Sequence, residues 1–386
     1  MKPLGSDQTA IQYLRYKFLG EEPLKDFIGL RPDTLCNYKC VSCKQVKGSC
    51  KTSEKEFQDI LAEHGRQRVI CSISGGEPLL TNEHFLRVLQ HTRLCSTLGL
   101  YPTLFSNCHD LDGRKVEMLL EAGLKRLTTA FYGPDAASHD KWRGVPGSFV
   151  AQYRALKLIC EKKRESRQEF ELIVSMVFFR QNFRQLSEMI QMLGDIFGDE
   201  IDRLDFFPIK EYADLYLSEE DVDYFKGELL PRLLVQLHSY GFDVAGRKLQ
   251  EILEGNPEDG VYGILPECCY SSHTSLYVSG HERLIYPCGY MSDYAERHPE
   301  SAVVLGKVGE KLDLSKLKTL PMPICQSLCG PVVKGHNRRA QRAVEIMQAM
   351  PDLEQVLRLP SYENQLVLRL RREYIAMRDE KAFYRK

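Results

Sequence analysis

Three cysteines stand close together in Cys36-Asn-Tyr-Lys-Cys40-Val-Ser-Cys43, a C-x3-C-x2-C spacing that lets one short loop present three thiolates to a single metal centre. Three is the informative number. A structural zinc site takes four protein ligands, whereas a cubane [4Fe-4S] cluster held by three cysteines keeps one iron open to an outside ligand. Taken alone, the loop could also be part of a zinc ribbon completed by Cys50 or His64, the less favoured alternative. One strand further on, at the end of the apolar run VICSIS, comes Gly75-Gly76-Glu77-Pro78. Glycines at the C-terminal end of a strand let backbone groups approach a ligand closely, and a proline after them stiffens the exit. A second group, Cys268, Cys269, Cys288, Cys325 and Cys329, lies in the last third, so the chain carries two separate candidate metal sites. Cys50, Cys71, Cys95, Cys108 and Cys160 are scattered singly and read as small core or surface residues.

The composition narrows what such sites can serve. A chain of 386 residues, 43% hydrophobic and 27% charged, can bury a barrel-sized core and carry an appended module. Lys+Arg at 52 against Asp+Glu at 53 leaves a net charge of −1, which excludes a protein whose main task is gripping nucleic acid or an anionic membrane. No apolar run approaches the ~18 residues of a membrane span, and MKPLGSDQTA has no apolar stretch after its lysine, so a cytoplasmic protein is expected. In that reducing compartment thirteen cysteines point to metal ligation rather than disulfides.

The elements that must position these residues alternate in type. DFIGL, VICSIS, YPTLFS, RLTTAFY, FELIVSMVFF and RLDFFPI are short apolar, β-branched or aromatic runs that read as strands. Between them HFLRVLQHTRLC, RKVEMLLEAGL, VAQYRALKLICEKK and QLSEMIQMLGDIF carry apolar residues at three- and four-residue spacing, the pattern of amphipathic helices. Strands alternating with helices of this length predict a parallel α/β barrel, here a partial (β/α)6 barrel, with its active site at the C-terminal strand ends. The expected organisation is an N-terminal segment over 1–24, the barrel over 25–215, a helical region over 216–260, a cysteine-rich unit over 261–335 and a helical tail over 336–386. The basic signals RRAQRA and RLRRE in that tail are expected to be a solvated helix face rather than an RNA-binding surface.

Placed one strand after a three-cysteine loop, GGEP resembles the radical S-adenosylmethionine (radical SAM) family. There a C-x3-C-x2-C loop binds a [4Fe-4S] cluster and the GGEP backbone holds the methionyl ammonium of SAM. Further matches carry the resemblance: Leu104-Phe105-Ser106-Asn107 falls at the family's ribose contact, with Cys108 in place of its glycine, and Ser138-His139-Asp140-Lys141-Trp142-Arg143-Gly144 with Pro146-Gly147-Ser148-Phe149 is similar to an H-D-x-x-R-G-x-x-G-S-F signature of one branch. Val174-Ser175-Met176-Val177 and Phe207-Pro208-Ile209 look like its fifth and sixth strands. One departure stands out: the residue before the third cysteine is normally aromatic and packs near the adenine, but here it is Ser42, which leaves Tyr38 as the substitute. The resemblance implies SAM contacts at Tyr38, Gly75, Gly76, Glu77, Pro78, Ser106, Asn107 and Ser175.

Cys269, Gly280, Cys288, Cys325 and Cys329 resemble the family's SPASM/twitch extension, in which a cysteine, a glycine-bearing hairpin and a second cysteine precede a distal close pair. SLYVSGHERLIYPC reads as that hairpin. The resemblance implies one auxiliary [4Fe-4S] cluster on Cys288, Cys325, Cys329 and either Cys268 or Cys269, with Cys269 preferred because it leads into the strand; four-cysteine zinc is the alternative the spacing allows. An auxiliary cluster with no open iron suits an electron acceptor, which favours net oxidation of substrate. Epimerisation remains the redox-neutral option, with Cys268 or Tyr290 returning a hydrogen, and decarboxylation is a further one. Peptide-modifying members often carry an N-terminal recognition domain, and with Cys36 so early none is expected here. The favoured substrate is therefore a small polar metabolite such as a sugar, aminocyclitol or nucleoside. The alternative is a ribosomal peptide whose leader is held by a separate partner. His139, Asp140, Arg143 and Glu211 are the polar residues near predicted strand ends that could touch it. The expected electron donor is a flavodoxin or ferredoxin.

An anaerobic preparation is expected to carry about eight irons per chain if both sites are cubanes, and Cys36→Ala, Cys40→Ala and Cys43→Ala are each expected to abolish SAM cleavage. Two zincs per chain and no colour, or wild-type 5′-deoxyadenosine formation in any of the three variants, would contradict the reading.

Overall fold

The computed structural model describes residues 27–43, 45–64, 70–166, 169–209, 213–254, 269, 272, 275–320 and 322–325. Cys268, Cys329, Glu211, the segment 1–24 and the tail 336–386 lie outside them. All six expected strands form: β1 (Phe27–Arg31), β2 (Ile70–Ile73), β3 (Tyr101–Phe105), β4 (Arg126–Phe131), β5 (Glu171–Phe178) and β6 (Arg203–Pro208). Between them run α1 (Glu54–His64), α2 (Asn82–Thr97), α3 (Gly113–Glu121), α4 (Ala136–Arg143), α5 (Ser148–Glu165) and α6 (Leu186–Phe197). Strand follows strand in sequence order, each parallel to the last, as helical crossovers require. β2 is buried at every position, as is usual for parallel strands covered on both faces, and this is why they appear in sequence as unbroken apolar runs.

The sheet does not close into a barrel. The outer edge of β1 is taken by β7 (Ser275–Ser279), which pairs parallel to it from Phe27↔Ser275 to Arg31↔Ser279. β8 (Leu284–Tyr286) and β9 (Gly306–Lys307) continue antiparallel, giving the order β6-β5-β4-β3-β2-β1-β7-β8-β9. The expected hairpin is thus present, and it extends the barrel sheet itself.

Two apolar cores flank this sheet. One lies under β2 to β6 against α2, α3, α5 and α6, and is completed by Phe225, Leu233, Leu237, Leu249 and Ile252 from the helices that follow β6. Those helices are α7 (Glu219–Tyr224), α8 (Leu230–Ser239) and α9 (Asp243–Glu254), with a π turn at Phe225–Leu229 joining the first two. The segment expected as a helical region therefore adds its apolar stripe to the barrel core, where each fully buried Leu or Phe contributes ~1.5–3 kcal/mol. The second core gathers Ile28, Leu30, Phe57, Leu61, Val278, Ile285 and Tyr286 around β1, α1 and the hairpin, with Met291 and Ala295 of α10 (Gly289–Ala295).

The long loop after β1 folds back across the tip of β2. Gly76 N–H donates to Asp33 O at 3.3 Å and Glu77 N–H to Leu35 O at 2.7 Å. This contact leaves no room for side chains: a Cβ on Gly76 would lie 1.9 Å from Leu35 O, and one on Gly75, whose φ is +145°, would lie 2.3 Å from Asp33 O. By contrast Gly99, at φ +73°, faces open space. Gly99→Ala is expected to cost only the ~1–2 kcal/mol of a left-handed backbone, and Gly76→Ala to cost more, because backbone must move. Urea unfolding of the two variants side by side checks this; equal losses would mean that the loop does not rest on Gly76.

Candidate active site

Cys36, Cys40 and Cys43 line a single cavity of about 420 Å³, as do Gly75, Gly76 and Glu77, and it sits over the C-terminal ends of the parallel strands. The cysteine loop is anchored along its length. Lys39 N–H donates to Arg143 O at 3.1 Å and Val41 N–H to Trp142 O at 2.9 Å, strapping its middle to the end of α4. Within it, Tyr38 N–H points at Cys36 Sγ at 3.3 Å, and Cys43 N–H closes a tight turn onto Cys40 O at 3.0 Å. Burial pushes the Cys36 and Cys43 thiols up from their ordinary range, so binding a metal there releases protons.

The Glu77 side chain is held by hydrogen bonds within the protein. Its buried carboxylate accepts from Ser106 Oγ at 2.7 Å, Asn107 N–H at 2.7 Å and Leu79 N–H at 2.9 Å. Burial raises its pKa, and the three donors oppose that rise. Asn107 is equally committed: Nδ2 donates to Asn37 Oδ1 at 2.8 Å and Oδ1 accepts from His109 N–H at 2.9 Å. Together these bonds lock the tips of β2 and β3 to the cysteine loop. Cys108 adopts φ +59°, the left-handed region in which a glycine is least strained, at the position where the resemblance expects one.

Most of the H-D-x-x-R-G-x-x-G-S-F stretch has a local structural account. Asp140 is turned toward the start of α5, where its carboxylate accepts from Gly147 N–H at 2.6 Å, Phe149 N–H at 2.7 Å and Ser148 Oγ at 2.8 Å. This capping keeps its pKa below the ordinary carboxylate value. Gly144 ends α4 at φ +69° with Lys39 O so close that a Cβ would lie 2.6 Å away. His139 is fully buried against Phe131 and Phe149. Arg143 is buried too, and its guanidinium donates to Cys40 Sγ at 3.4 Å, to Gln152 Oε1 at 3.3 Å and to Ala130 O.

Two aromatic residues flank that guanidinium. Tyr38 and Tyr132 place their rings 5.2 and 4.8 Å from it. Tyr38 also meets His109 edge-on and shares a hydrogen bond with its Nδ1 at 3.0 Å, so part of its expected adenine-facing surface is already covered. Ser42, the departure from the family pattern, shares a 2.6 Å hydrogen bond with Tyr132 OH. Tyr132 therefore brings an aromatic ring to this spot from β4 rather than from the loop. It was visible in sequence only as the last letter of RLTTAFY.

Ser175 of β5 also lines the cavity, while Pro78 lies outside its wall. From the extension Tyr290, Asp293 and Arg297 reach the same space, so α10 closes one side of it. Asp293 and Arg297 had no signal in the sequence, because nothing local there predicts which face of α10 meets the cysteine loop. In the second cysteine group Cys269, Cys288 and Cys325 all pack, partly buried, around the second core. Cys288 caps α10, its Sγ accepting from Met291 N–H at 3.4 Å.

Comparison with known proteins bears on the family. The chain is 27% identical over 168 residues to the AdoMet-dependent heme synthase of Methanosarcina barkeri, covering 42% of this chain and 45% of that protein. It is 26% identical over 183 residues to the PqqA peptide cyclase of Rhodopseudomonas palustris, covering 46% and 45%. In structure it aligns with Streptococcus suis SuiB bound to its precursor peptide SuiA at a TM-score of 0.57, with 16% identity, over 84% of this chain and 73% of that one. SuiB bound to S-adenosylmethionine aligns at 0.54, over 81% and 69%, again at 16% identity. The chain is a radical SAM protein. No family model matches it, and it spans less than half the length of these curated relatives.

The donor set of this radical SAM chain fits the cofactors the family uses. Three thiols share one cavity, and the Arg143 guanidinium beside Cys40, with its Nε buried and unbonded, has no carboxylate within ion-pair distance among the described residues.

Burial against the aromatic rings and the Arg143 charge lower His139 to a pKa of about 3. The unfolded chain, near 6.5, takes up the proton first as pH falls, so the His139 contribution is intact above ~6.5 and is lost toward the folded value at up to ~1.4 kcal/mol per pH unit. His139→Gln is expected to flatten this limb, so that the stability gap between wild type and variant narrows by ~2 kcal/mol between pH 6.5 and 5 in urea unfolding. A constant gap would mean that His139 is not held neutral.

Proposed function

We propose that this radical SAM chain reductively cleaves SAM and abstracts a hydrogen atom from a peptide substrate. The observation that carries the reading is the convergence of Cys36, Cys40 and Cys43 with the Gly75–Glu77 backbone on one cavity at the strand ends. When bound there, cluster and SAM supply one-electron chemistry able to break an unactivated C–H bond. The chain's own residues ligate through the three thiols and fix the β2 and β3 tips through Glu77. Tyr132, Ser106, Asn107 and Ser175 shape the SAM side of the wall.

A peptide is preferred here over the small polar metabolite that the sequence reading favoured. PqqA peptide cyclase among the sequence relatives supports the change. So does the cavity: Phe105, 43% exposed, with Val177, Pro208 and Ile209 forms an apolar flank. Ser106, Asn107 and Arg143, three of the polar groups on the cavity wall, are already bonded within the protein. An apolar flank suits a peptide side chain.

On this reading Cys269, Cys288, Cys325 and Cys329 hold an auxiliary cluster that accepts the substrate electron, an external flavodoxin or ferredoxin supplies the reducing electron, and a separate protein holds the peptide leader.

Deuterium tracing tests the substrate class. With anaerobically reconstituted protein, dithionite and SAM, deuterium from a labelled candidate precursor peptide is expected in 5′-deoxyadenosine; transfer from a labelled sugar or aminocyclitol and none from peptide would restore the metabolite reading. Replacing Cys325 and Cys329 with Ala is expected to remove about half the iron, to leave SAM cleavage intact and to stop product formation. A soluble double variant that forms product at the normal rate would remove the auxiliary site as electron acceptor and bring epimerisation forward.

A further inference from the structure

Arg143 poses an energetic problem that the cysteine loop alone does not solve. Only 7% of it is exposed. Burying a guanidinium without an anionic partner costs several kcal/mol. Among the described residues, no Asp or Glu oxygen lies within ion-pair distance of it, and its bonds run to Cys40 Sγ, Gln152 Oε1 and Ala130 O. Its Nε is buried without a partner. Two tyrosine rings cover it, which offsets part of the burial but supplies no negative charge.

Holding the loop does not require this charge. The strap between α4 and the loop is made by backbone carbonyls, Arg143 O to Lys39 N–H and Trp142 O to Val41 N–H, which any residue at 143 would provide. What remains for the side chain is the thiol sulfur it touches. A guanidinium N–H on a metal-bound thiolate draws electron density from the sulfur, and a fixed positive charge in a low-dielectric site stabilises whichever redox state carries more negative charge.

We propose that Arg143 is a charge-tuning residue that raises the reduction potential of the cluster bound by Cys36, Cys40 and Cys43, by compensating the negative charge the cluster gains when it takes one electron from the external donor. The inference rests on the cluster assignment made above and assigns Arg143 a role toward that cluster rather than toward substrate. Lysine at the site would keep the charge but not the flat fork between the two rings, whereas methionine and glutamine would remove the charge.

The test is a dye-mediated redox titration followed by EPR, on full-length chains anaerobically reconstituted with iron and sulfide. The Cys325→Ala/Cys329→Ala background is used so that one cluster is read. Arg143→Met and Arg143→Gln are each expected to lower the reduced-to-oxidised ratio at fixed potential at least tenfold, a downward shift of 59 mV for a one-electron couple, with iron content unchanged. Arg143→Lys is expected to lie closer to wild type. A second readout is thermal: without metal, Arg143→Met should melt higher than wild type because an unpaired buried charge is gone, and cluster loading should stabilise wild type more than the variant. A wild-type cluster with an unmoved potential in both neutral variants overturns the proposal and leaves the cluster assignment standing. Loss of iron from both neutral variants while Arg143→Lys loads fully makes the residue a structural clamp and overturns it as well. A wild-type chain that takes up no cluster sinks the assignment and this inference together.

Discussion

The carbonyl oxygens of Asp33 and Leu35 occupy the space where residues 75 and 76 would carry side chains. That close approach sets the height of the cysteine loop above the sheet. Because Glu77 follows at once, its carboxylate is driven into the interior, where only Ser106 Oγ and the amides of Leu79 and Asn107 can satisfy it. Those donors hold the β3 tip. The β3 tip, through Asn107 and Asn37, returns to the loop between Cys36 and Tyr38. The glycines therefore give the loop backbone, more than a ligand, its close approach, and the cysteine arrangement is their downstream consequence.

The strands and the site they carry differ in how visible they are in sequence. The inner strands stand out because burial on both faces leaves short, largely apolar or β-branched runs, whereas β6, at the sheet edge, alternates buried and less buried positions and shows in sequence through Leu204, Phe206 and Phe207. The cysteine loop and the hairpin stand out because their determinants are local: thiol spacing in one, turn residues between alternating strands in the other. Pairings are less visible. Nothing in SLYVS says that it will lie parallel to FIGLR, since the partners are separated by the whole barrel and register depends on Gly29 yielding space to the Tyr277 ring. Helix α4 is hidden for another reason. Its eight residues carry too few apolar positions to show a period, and its two ends are fixed by Asp135 and Gly144 rather than by any stripe.

Roles are harder to read than positions. Arg143 and Asp140 are, in sequence, polar residues near strand ends that could touch a substrate, although a charged loop after a strand is more often surface than site. The fold turns Asp140 onto the amide groups of α5 and sets Arg143 in the cavity wall against the cysteine loop, placements that residue type alone does not announce. Ser42 and Tyr132 make the same point: the aromatic group missing from one segment is supplied by another brought close by the sheet. Substrate class lies further from local sequence still, because it depends on which polar groups are already spent inside the protein.

The extension is bound to the barrel by more than its strand pairing. Arg31, the last residue of β1 and 4% exposed, pairs with Asp293 of α10 and at 3.0 Å with Glu296, the residue that caps the C-terminus of that helix, while Glu296 also accepts Val46 N–H of the cysteine loop at 2.9 Å. A buried pair of this kind adds little net stability over an apolar replacement, but loss of one partner costs ~3–5 kcal/mol. Its effect is positional: the same carboxylate that satisfies Arg31 fixes the exit of the loop carrying Cys43. Gly280 of the hairpin turn adds a second tie, accepting from Lys51 N–H and Thr52 Oγ1 at 2.9 Å each and donating to Arg31 O at 2.7 Å. Because α10 also lines the cavity through Tyr290 and Asp293, with Arg297 just beyond its end, a shift of the extension would move one cavity wall and the end of the loop together. The hairpin and the segment after it are thus tied to the cysteine loop by Arg31, Glu296 and Gly280 as well as by the pairing of β7 with β1.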